Sequence, residues 1–391
     1  MIAFVQPFGL RSPSGGARIF RSLLRDAPFN WLSVVTGALT PPPTTLGLEL
    51  HVPLRPYFGR IERTRFGGWL GSAERLFSGS FRARLAQTCR QHGCTAIHGL
   101  TQGRDFWYAY QVARELEIPF HLSVHDDLVY ALKGSAHLRL EETRLQEVWR
   151  ESASRFVISE AMGEEYCRRY GRRRFEVVTD GLERIEPPKA RPDTTLRIYF
   201  MGLLHISYTE NFRALFRAIS TVRQQRKDLS VSITCRCGSL PKQLERLFPV
   251  TLLPMGSEQD VERDMETADL LYLPLPFDSA HETFVRYSLS TKMITYLGSG
   301  LPILYHGPRH AAAGRMLDEH GAALSVNSLE HFDLIKGLVA GSEDRLRVTS
   351  SAAELGRRQF LCVNQRGRFH RGLSGPSRPS HVGRSPLAQA I

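Results

Sequence analysis

Ser288-Leu-Ser-Thr-Lys-Met-Ile-Thr-Tyr-Leu-Gly-Ser-Gly-Leu-Pro-Ile-Leu-Tyr-His-Gly-Pro308 is the stretch from which the fold can be read. Ser288, Ser290 and Thr291 are hydroxyl residues suited to capping a helix start, with Lys292 beside them. Met293, Ile294 and Leu297 supply an apolar face, Gly298 and Gly300 end the helix, and Leu301 to Tyr305 read as a buried strand. A helix start with free N–H groups, hydroxyls and a lysine suits an anion. An ordinary capped helix in an α/β fold is the competing reading.

Working outward, short apolar strands alternate with helical patterns along most of the chain, which predicts parallel α/β domains. Ile2 to Val5 is a first strand, followed by Gly9 to Gly16 and an apolar-periodic helix from Ala17 to Leu24. Further strands are expected at Leu32 to Val35, Ala96 to His98, Phe120 to Val124, Phe156 to Ile158 and Glu176 to Val178. Ser159 caps a helix that Gly171 stops. Residues 183–195 (Glu-Pro-Pro-Lys-Ala-Arg-Pro within them) read as a stiff linker. Alternation then restarts, with strands expected at Arg197 to Phe200, Val231 to Thr234, Thr251 to Leu253, Leu270 to Leu273, Pro302 to Tyr305 and Ala323 to Val326. The predicted organisation is an α/β domain over 1–182, a second over 196–352, a returning helix over 353–373 interrupted near Asn364, and a disordered basic tail over 374–391. Ligands of such domains bind at strand C-termini, in the cleft between them. The stretch from Thr44 to Arg90 yields no pattern.

Composition permits two sizeable cores: 391 residues, 42% hydrophobic and 23% charged. No apolar run approaches the roughly 18 residues of a membrane-spanning helix. The N-terminus lacks a basic n-region and reads as a strand, so the expected compartment is the cytosol. Six cysteines make no paired CxxC pattern and read as buried free thiols. The net charge of +12 includes seven arginines after Glu354, and removing them leaves +5. With no zinc finger, RNA-recognition signature or basic helix with interleaved aromatics, nucleic acid is not an expected partner. A basic tail fits loose contact with an anionic membrane at the inner face, or simple solvation.

Gly15-Gly16 opens a helix after the first strand and lets a phosphate or sugar approach the backbone, although a simple turn has the same pattern. His98 and His125-Asp126-Asp127 end predicted strands, where side chains reach a cleft; a structural histidine is the alternative. No acidic pair ends a strand in the C-terminal half, so a metal is not an expected requirement.

The opening stretch resembles the C-terminal domain of two-Rossmann-domain (GT-B) glycosyltransferases of the retaining group 1/family 4 superfamily. It matches their "S-x-x-x-K-x-x-E-Y-L-x-x-G-x-P-(I/V)" at Ser288, Lys292, Tyr296, Leu297, Gly300, Pro302 and Ile303, with Thr295 where the family has a ribose-holding glutamate. Ile118-Pro119-Phe120, Ser123-Val124-His125-Asp126, Val157 to Glu160 with Tyr170-Gly171, and Val177 to Gly181 resemble further elements in the same order. The resemblance implies a GT-B fold and transfer of a sugar from a nucleotide diphosphate donor. It places the Gly15-Gly16 loop facing the donor phosphates and acceptor, His125 near the transferred sugar and Gly256 in the base-binding stretch; Asp126 beside His125 is a further catalytic candidate and His98 an acceptor-side one. The family's phosphate-binding arginine and lysine are replaced by Leu203 and Tyr208, with His205 and Arg286 as substitute donors. Glu282-Thr-Phe284 resembles a sugar-binding "E-x-F-G", and Ser288, Ser290, Thr291 and Lys292 form the leaving-group set. No cofactor is implied beyond the nucleotide-sugar co-substrate, and the acceptor is a saccharide, a lipid-linked or a small molecule. A glycosyltransferase-like scaffold without catalysis and a two-Rossmann nucleotide-sugar epimerase are the rival readings.

Overall fold

The computed structural model describes residues 1–59, 67–132, 137–189, 194–204 and 206–374. Among these the strands form two sheets. The first contains β1 (Ile2–Gln6), β2 (Trp31–Val35), β3 (Leu48–His51), β4 (Ala96–Leu100), β5 (Phe120–Val124), β6 (Ser154–Val157) and β7 (Glu176–Val177), in the order β3-β2-β1-β4-β5-β6-β7. The second contains β8 (Thr195–Met201), β9 (Ser230–Arg236), β10 (Thr251–Leu253), β11 (Leu270–Pro274), β12 (Ile303–His306) and β13 (Leu324–Val326), in the order β10-β9-β8-β11-β12-β13. All strand pairs are parallel. Both domains therefore start mid-sheet, run outward and then reverse, which leaves switch points at β1/β4 and β8/β11. Crevices open at the C-terminal ends of strands flanking such points.

Helices cover both faces of each sheet, so the inner strands are apolar throughout rather than alternating. Ala3, Phe4 and Val5 of β1, and Leu270, Leu271 and Tyr272 of β11, have essentially no solvent contact. Among the described residues, the stretch that gave no pattern holds the edge strand β3, which is half-exposed, and the helix Gly67–Gln91. The linker residues pack on the second domain, where Glu186 N donates to Gly298 O at 2.9 Å and Lys189 N to Gly300 O at 3.0 Å.

The last described segment returns to the first domain. It does so as two helices, Ser342–Gln359 and Cys362–Leu373, so helix begins well before Ala353 and breaks at Phe360-Leu361 rather than near Asn364. The break is imposed by pairing with the first interdomain crossing: Leu182 N donates to Phe360 O at 2.7 Å and Cys362 N to Leu182 O at 2.9 Å. From there Arg366 Nε donates to Ser22 O at 2.7 Å, and Gln365 Oε1 accepts from Thr179 N at 3.0 Å. The predicted basic tail from Gly375 and the candidate His205 lie outside the described residues. No helix among the described residues is long and apolar enough to cross a membrane.

Burial sets an acid limit on this fold. His98, His121, His125 and His306 are all buried, and desolvation pulls His121, His125 and His306 down to about 4 and His98 well below its usual range. The folded chain keeps them neutral while the unfolded chain protonates them near 6.5, so stability is full above that pH and is lost on acidification towards 4. Between pH 7 and 5.5 each should cost on the order of 1 kcal/mol. Urea midpoints in that interval, above the carboxylate range, should fall steeply; a flat profile would contradict the burial of neutral imidazoles.

Candidate functional site

A cavity of about 720 Å³ lies between the domains, outside the ends of β1 and β8. The first domain contributes Arg11 to Gly15 together with Arg18 and Arg21, which project from the helix Gly15–Leu24. Ser14 caps that helix, its Oγ accepting from Ala17 N at 3.3 Å. The second domain contributes Gly202, Leu203, Arg236, Gly256, Glu258, Thr291, Lys292 and Thr295. The two sides touch where Thr291 Cγ2 lies 3.6 Å from the position a Cβ on Gly15 would take.

Seven cationic side chains and five glutamates line the cavity, and the arginines nearest the contact are held by carboxylates. Arg18 Nε sits 2.7 Å from the buried Asp180 carboxylate, an anchor that fixes its guanidinium at the domain junction. Arg21 donates to Leu10 O at 2.7 Å and Ser12 O at 2.9 Å, which shapes the loop before Gly15. Both arginines face Glu258 across the cleft, at 3.9 Å from Arg18 and 3.4 Å from Arg21. Arg236 is held by Asp264.

Lys292 is different, because its neighbours are apolar. Its Nζ lies 5.4 Å from the Phe200 ring centre and 5.3 Å from that of Tyr208, and no ion pair to it occurs among the described residues. Burial pulls the ammonium down to about 8. Its stem passes over Gly202, whose Cβ would stand 2.8 Å from Lys292 Cε and whose φ of +90° disfavours other residues. A partly buried cation without a carboxylate partner among the described residues is poised to receive an anion.

The structure separates the sequence candidates into groups. Gly15, Gly256, Thr291 and Lys292 line the cavity. Gly16 lies behind it, packed so closely that a Cβ would meet the Phe8 ring at 2.7 Å. Ser290 is the helix cap, its Oγ accepting from Lys292 N at 3.3 Å, and Ser288 is buried outside the lining. His125 and Asp126 follow β5 without reaching the cavity wall; the His125 ring lies 5.5 Å from Phe20, and Gln102 donates to Asp126 at 3.1 Å. Burial raises the Asp126 carboxyl above its usual range.

Three placements differ from expectation. His98 is not at a strand end, because β4 runs on to Leu100; it is fully buried, bonded to Ser123 Oγ at 2.8 Å and ringed by Phe4, Phe20, Phe156 and Phe369. Glu282 and Arg286 are one turn apart on the helix Glu282–Tyr287 and neutralise each other at 2.8 Å, with His310 on the second Glu282 oxygen, also at 2.8 Å. They line no part of the cavity, so Arg286 does not supply its positive charge. Arg18 and Arg21 do, and they escaped the sequence reading although their spacing of three residues after Gly15-Gly16 puts them on one helix face.

One consequence is measurable. Glu258 competes with any anion for Arg18 and Arg21, so Glu258→Gln should tighten binding of a nucleoside diphosphate about fivefold, the ~1 kcal/mol of a partly exposed ion pair. Calorimetric titration checks this, and weaker binding would show that the two arginines do not face the ligand.

No protein-family model matches the chain, and no curated protein matches it in sequence. Solved structures match it in shape. The UDP-forming α,α-trehalose-phosphate synthase of Burkholderia xenovorans, in complex with glucose-6-phosphate, aligns at TM-score 0.67 and 14% identity, over 96% of this chain and 100% of that one. The α,α-trehalose 6-phosphate synthase of Burkholderia multivorans aligns at 0.64 and 14%, over 95% and 97%. The E. coli trehalose-6-phosphate synthase bound with UDP-2-fluoro glucose aligns at 0.64 and 12%, over 94% and 97%. At these identities the likeness is one of fold: the chain has the GT-B architecture, two parallel α/β domains facing a cleft.

Proposed function

We propose that the protein is a glycosyltransferase that moves a sugar from a nucleoside diphosphate donor to an acceptor hydroxyl. The observation that carries this reading is the junction of Gly15, Arg18 and Arg21 with Lys292, where cations from both domains converge on the paired switch points. A nucleoside diphosphate fits both the charge of that junction and the space beside it. The similar structures hold a UDP-sugar analogue in one case and a sugar phosphate in another, which supports a donor and an acceptor in a cleft of this kind.

The chemistry asked of the residues is electrostatic and positional. Cleavage of the glycosyl bond leaves negative charge on the diphosphate, which Lys292, Arg18 and Arg21 stabilise without reorganising. The close approach of Gly15 to Thr291 holds the two domains in register, which would align the acceptor hydroxyl with the sugar. His125, neutral at pH 7, and Asp126 are assigned to the sugar end. The acceptor is a saccharide, lipid-linked or small-molecule hydroxyl, as in the assembly of a polysaccharide or glycoconjugate.

Thr295, Leu203 and Tyr208 favour a second reading, a scaffold that binds nucleotide without turnover. Thr295 spends its hydroxyl on Thr291 O at 3.1 Å, and Leu203 is exposed in the cavity wall. Incubation with UDP-, GDP- and TDP-sugars separates the readings. Release of the nucleoside diphosphate supports transfer, a new nucleotide sugar supports an epimerase, and binding alone supports the scaffold.

A further inference from the structure

The six thiols of the chain are not equivalent. Cys89, Cys235, Cys237 and Cys362 are buried, whereas Cys94 and Cys167 are half-buried. Cys89 and Cys94 stand on either side of the turn that ends the helix Gly67–Gln91 and leads into β4. Gly93 takes a φ of +59° there, with Gly93 N donating to Arg90 O at 3.2 Å and Cys94 N to Cys89 O at 2.8 Å. This pair of bonds around a left-handed glycine is a helix stop that brings the side chains of its first and sixth residues together. Such a contact is commonly apolar. Here it joins two cysteines.

Geometry permits a covalent bond at this contact. With standard bond lengths, the 2.8 Å bond from Cys94 N to Cys89 O keeps the two Cα atoms within about 6.7 Å, inside the span of a disulfide. Cys94 packs against the core cluster to which Cys89 belongs, and the two thiols are hydrogen-bonded to each other. That bond separates their acidities. Cys89 is pushed up by it and then by burial, while Cys94, whose thiolate accepts it, is pulled below the ordinary thiol range. The more open sulfur is therefore also the one richer in thiolate. The other thiols lack this combination. Cys235 and Cys237 bond to each other but are both buried, Cys167 donates to Arg173 O at 3.3 Å, and Cys362 contacts Ser22 Oγ at 3.2 Å.

We propose that Cys94 and Cys89 form a reversible redox site for hydroperoxides, with Cys94 as the attacking sulfur and Cys89 as its resolving partner. The Cys94 thiolate attacks the terminal oxygen of R–O–O–H and the O–O bond breaks. The alkoxide leaves and takes up a proton as ROH, and Cys94 becomes a sulfenic acid. The Cys89 sulfur then attacks the Cys94 sulfur, forming the disulfide, and the displaced hydroxide leaves with the Cys89 proton as water. The two thiols lose two electrons and the hydroperoxide gains them; a dithiol reductant restores the pair by exchange. The site stands at the N-terminal end of β4, away from the cleft at the strand C-termini. It does not depend on the nucleotide-sugar reading.

The test treats the reduced full-length protein with equimolar hydrogen peroxide, blocks the remaining thiols with N-ethylmaleimide and maps the tryptic peptides. Arg90 lies between the two cysteines, so the bridge shows as residues 85–90 linked to residues 91–104. Wild type should give that linked pair as its main disulfide and lose it on treatment with dithiothreitol. Cys94 should react about tenfold faster than Cys167, the other half-buried thiol. In Cys89→Ala, dimedone should trap a sulfenic acid on Cys94 in place of the bridge. Cys94→Ser should slow peroxide consumption about tenfold. The wild-type comparison of Cys94 with Cys167 decides the matter even where a variant fails to fold. Equal reaction at Cys94 and Cys167, a bridge that forms only after unfolding in urea, or a Cys94–Cys94 link between two copies overturns the proposal.

Discussion

Lys292→Ala should lower donor turnover about 10²- to 10³-fold, the usual cost of removing one preorganised donor from a developing negative charge. The residue sits over Phe200 and Tyr208 with Gly202 under its stem, so its loss removes charge from the junction without opening a core. Two further readouts follow from its environment. Burial holds the ammonium at about 8, so the free protein loses that charge as pH rises through 8, and nucleoside diphosphate affinity should fall between pH 7 and 9 in wild type but not in Lys292→Ala. The sign for stability is opposite to that for activity. With a folded value below the unfolded one, the charged lysine disfavours folding at pH 7, and Lys292→Met should stabilise the chain on the order of 1–2 kcal/mol. Steady-state rates, calorimetry at three pH values and urea midpoints check the three statements. Wild-type turnover in Lys292→Ala would remove the lysine from the leaving-group set.

Phe369→Ala should destabilise the protein by about 3–5 kcal/mol, the range for emptying a fully buried aromatic site. Phe369 belongs to the last helix yet is buried in the first domain, with ring centres 4.8 Å from Phe156, 5.6 Å from His98 and 6.0 Å from Phe4. It is the apolar anchor of the returning segment, and the backbone pairing of Leu182 with Phe360 and Cys362 sets where that segment turns. Loss of the anchor should therefore lower the urea midpoint and expose the Cys362–Leu373 helix to proteolysis. An unchanged midpoint would mean that the helix is not docked on the first domain in solution.

The buried strands were legible because a parallel sheet covered on both faces writes itself as short apolar runs. The edge strand β3 was not, since Glu49 and His51 on a half-exposed edge break such a run. The helix Gly67–Gln91 was hidden by its glycines, although Phe81, Leu85 and Cys89 bury one face at helical spacing. At the site, Gly15 and Gly256 could be found because each lies at a strand-to-helix turn, and Thr291 and Lys292 because they open a hydroxyl-capped helix. The pairings could not, because they join residues distant in sequence: Arg18 with Asp180, and Arg21 with Glu258. Glu282 and Arg286 misled for a local reason. Their spacing of four residues on a helix makes them each other's partner before any ligand's.

The central claim is that the cleft cleaves a nucleotide sugar at the bond between sugar and diphosphate. The most direct measurement is the stoichiometry of nucleoside diphosphate and free sugar formed from the donor that binds, without added acceptor and in EDTA, separated by anion exchange. The account predicts slow, one-to-one formation of both products by wild type, unaffected by EDTA and reduced about 10²- to 10³-fold in Lys292→Ala. Intact donor after prolonged incubation, or release that Lys292→Ala leaves unchanged, would contradict it.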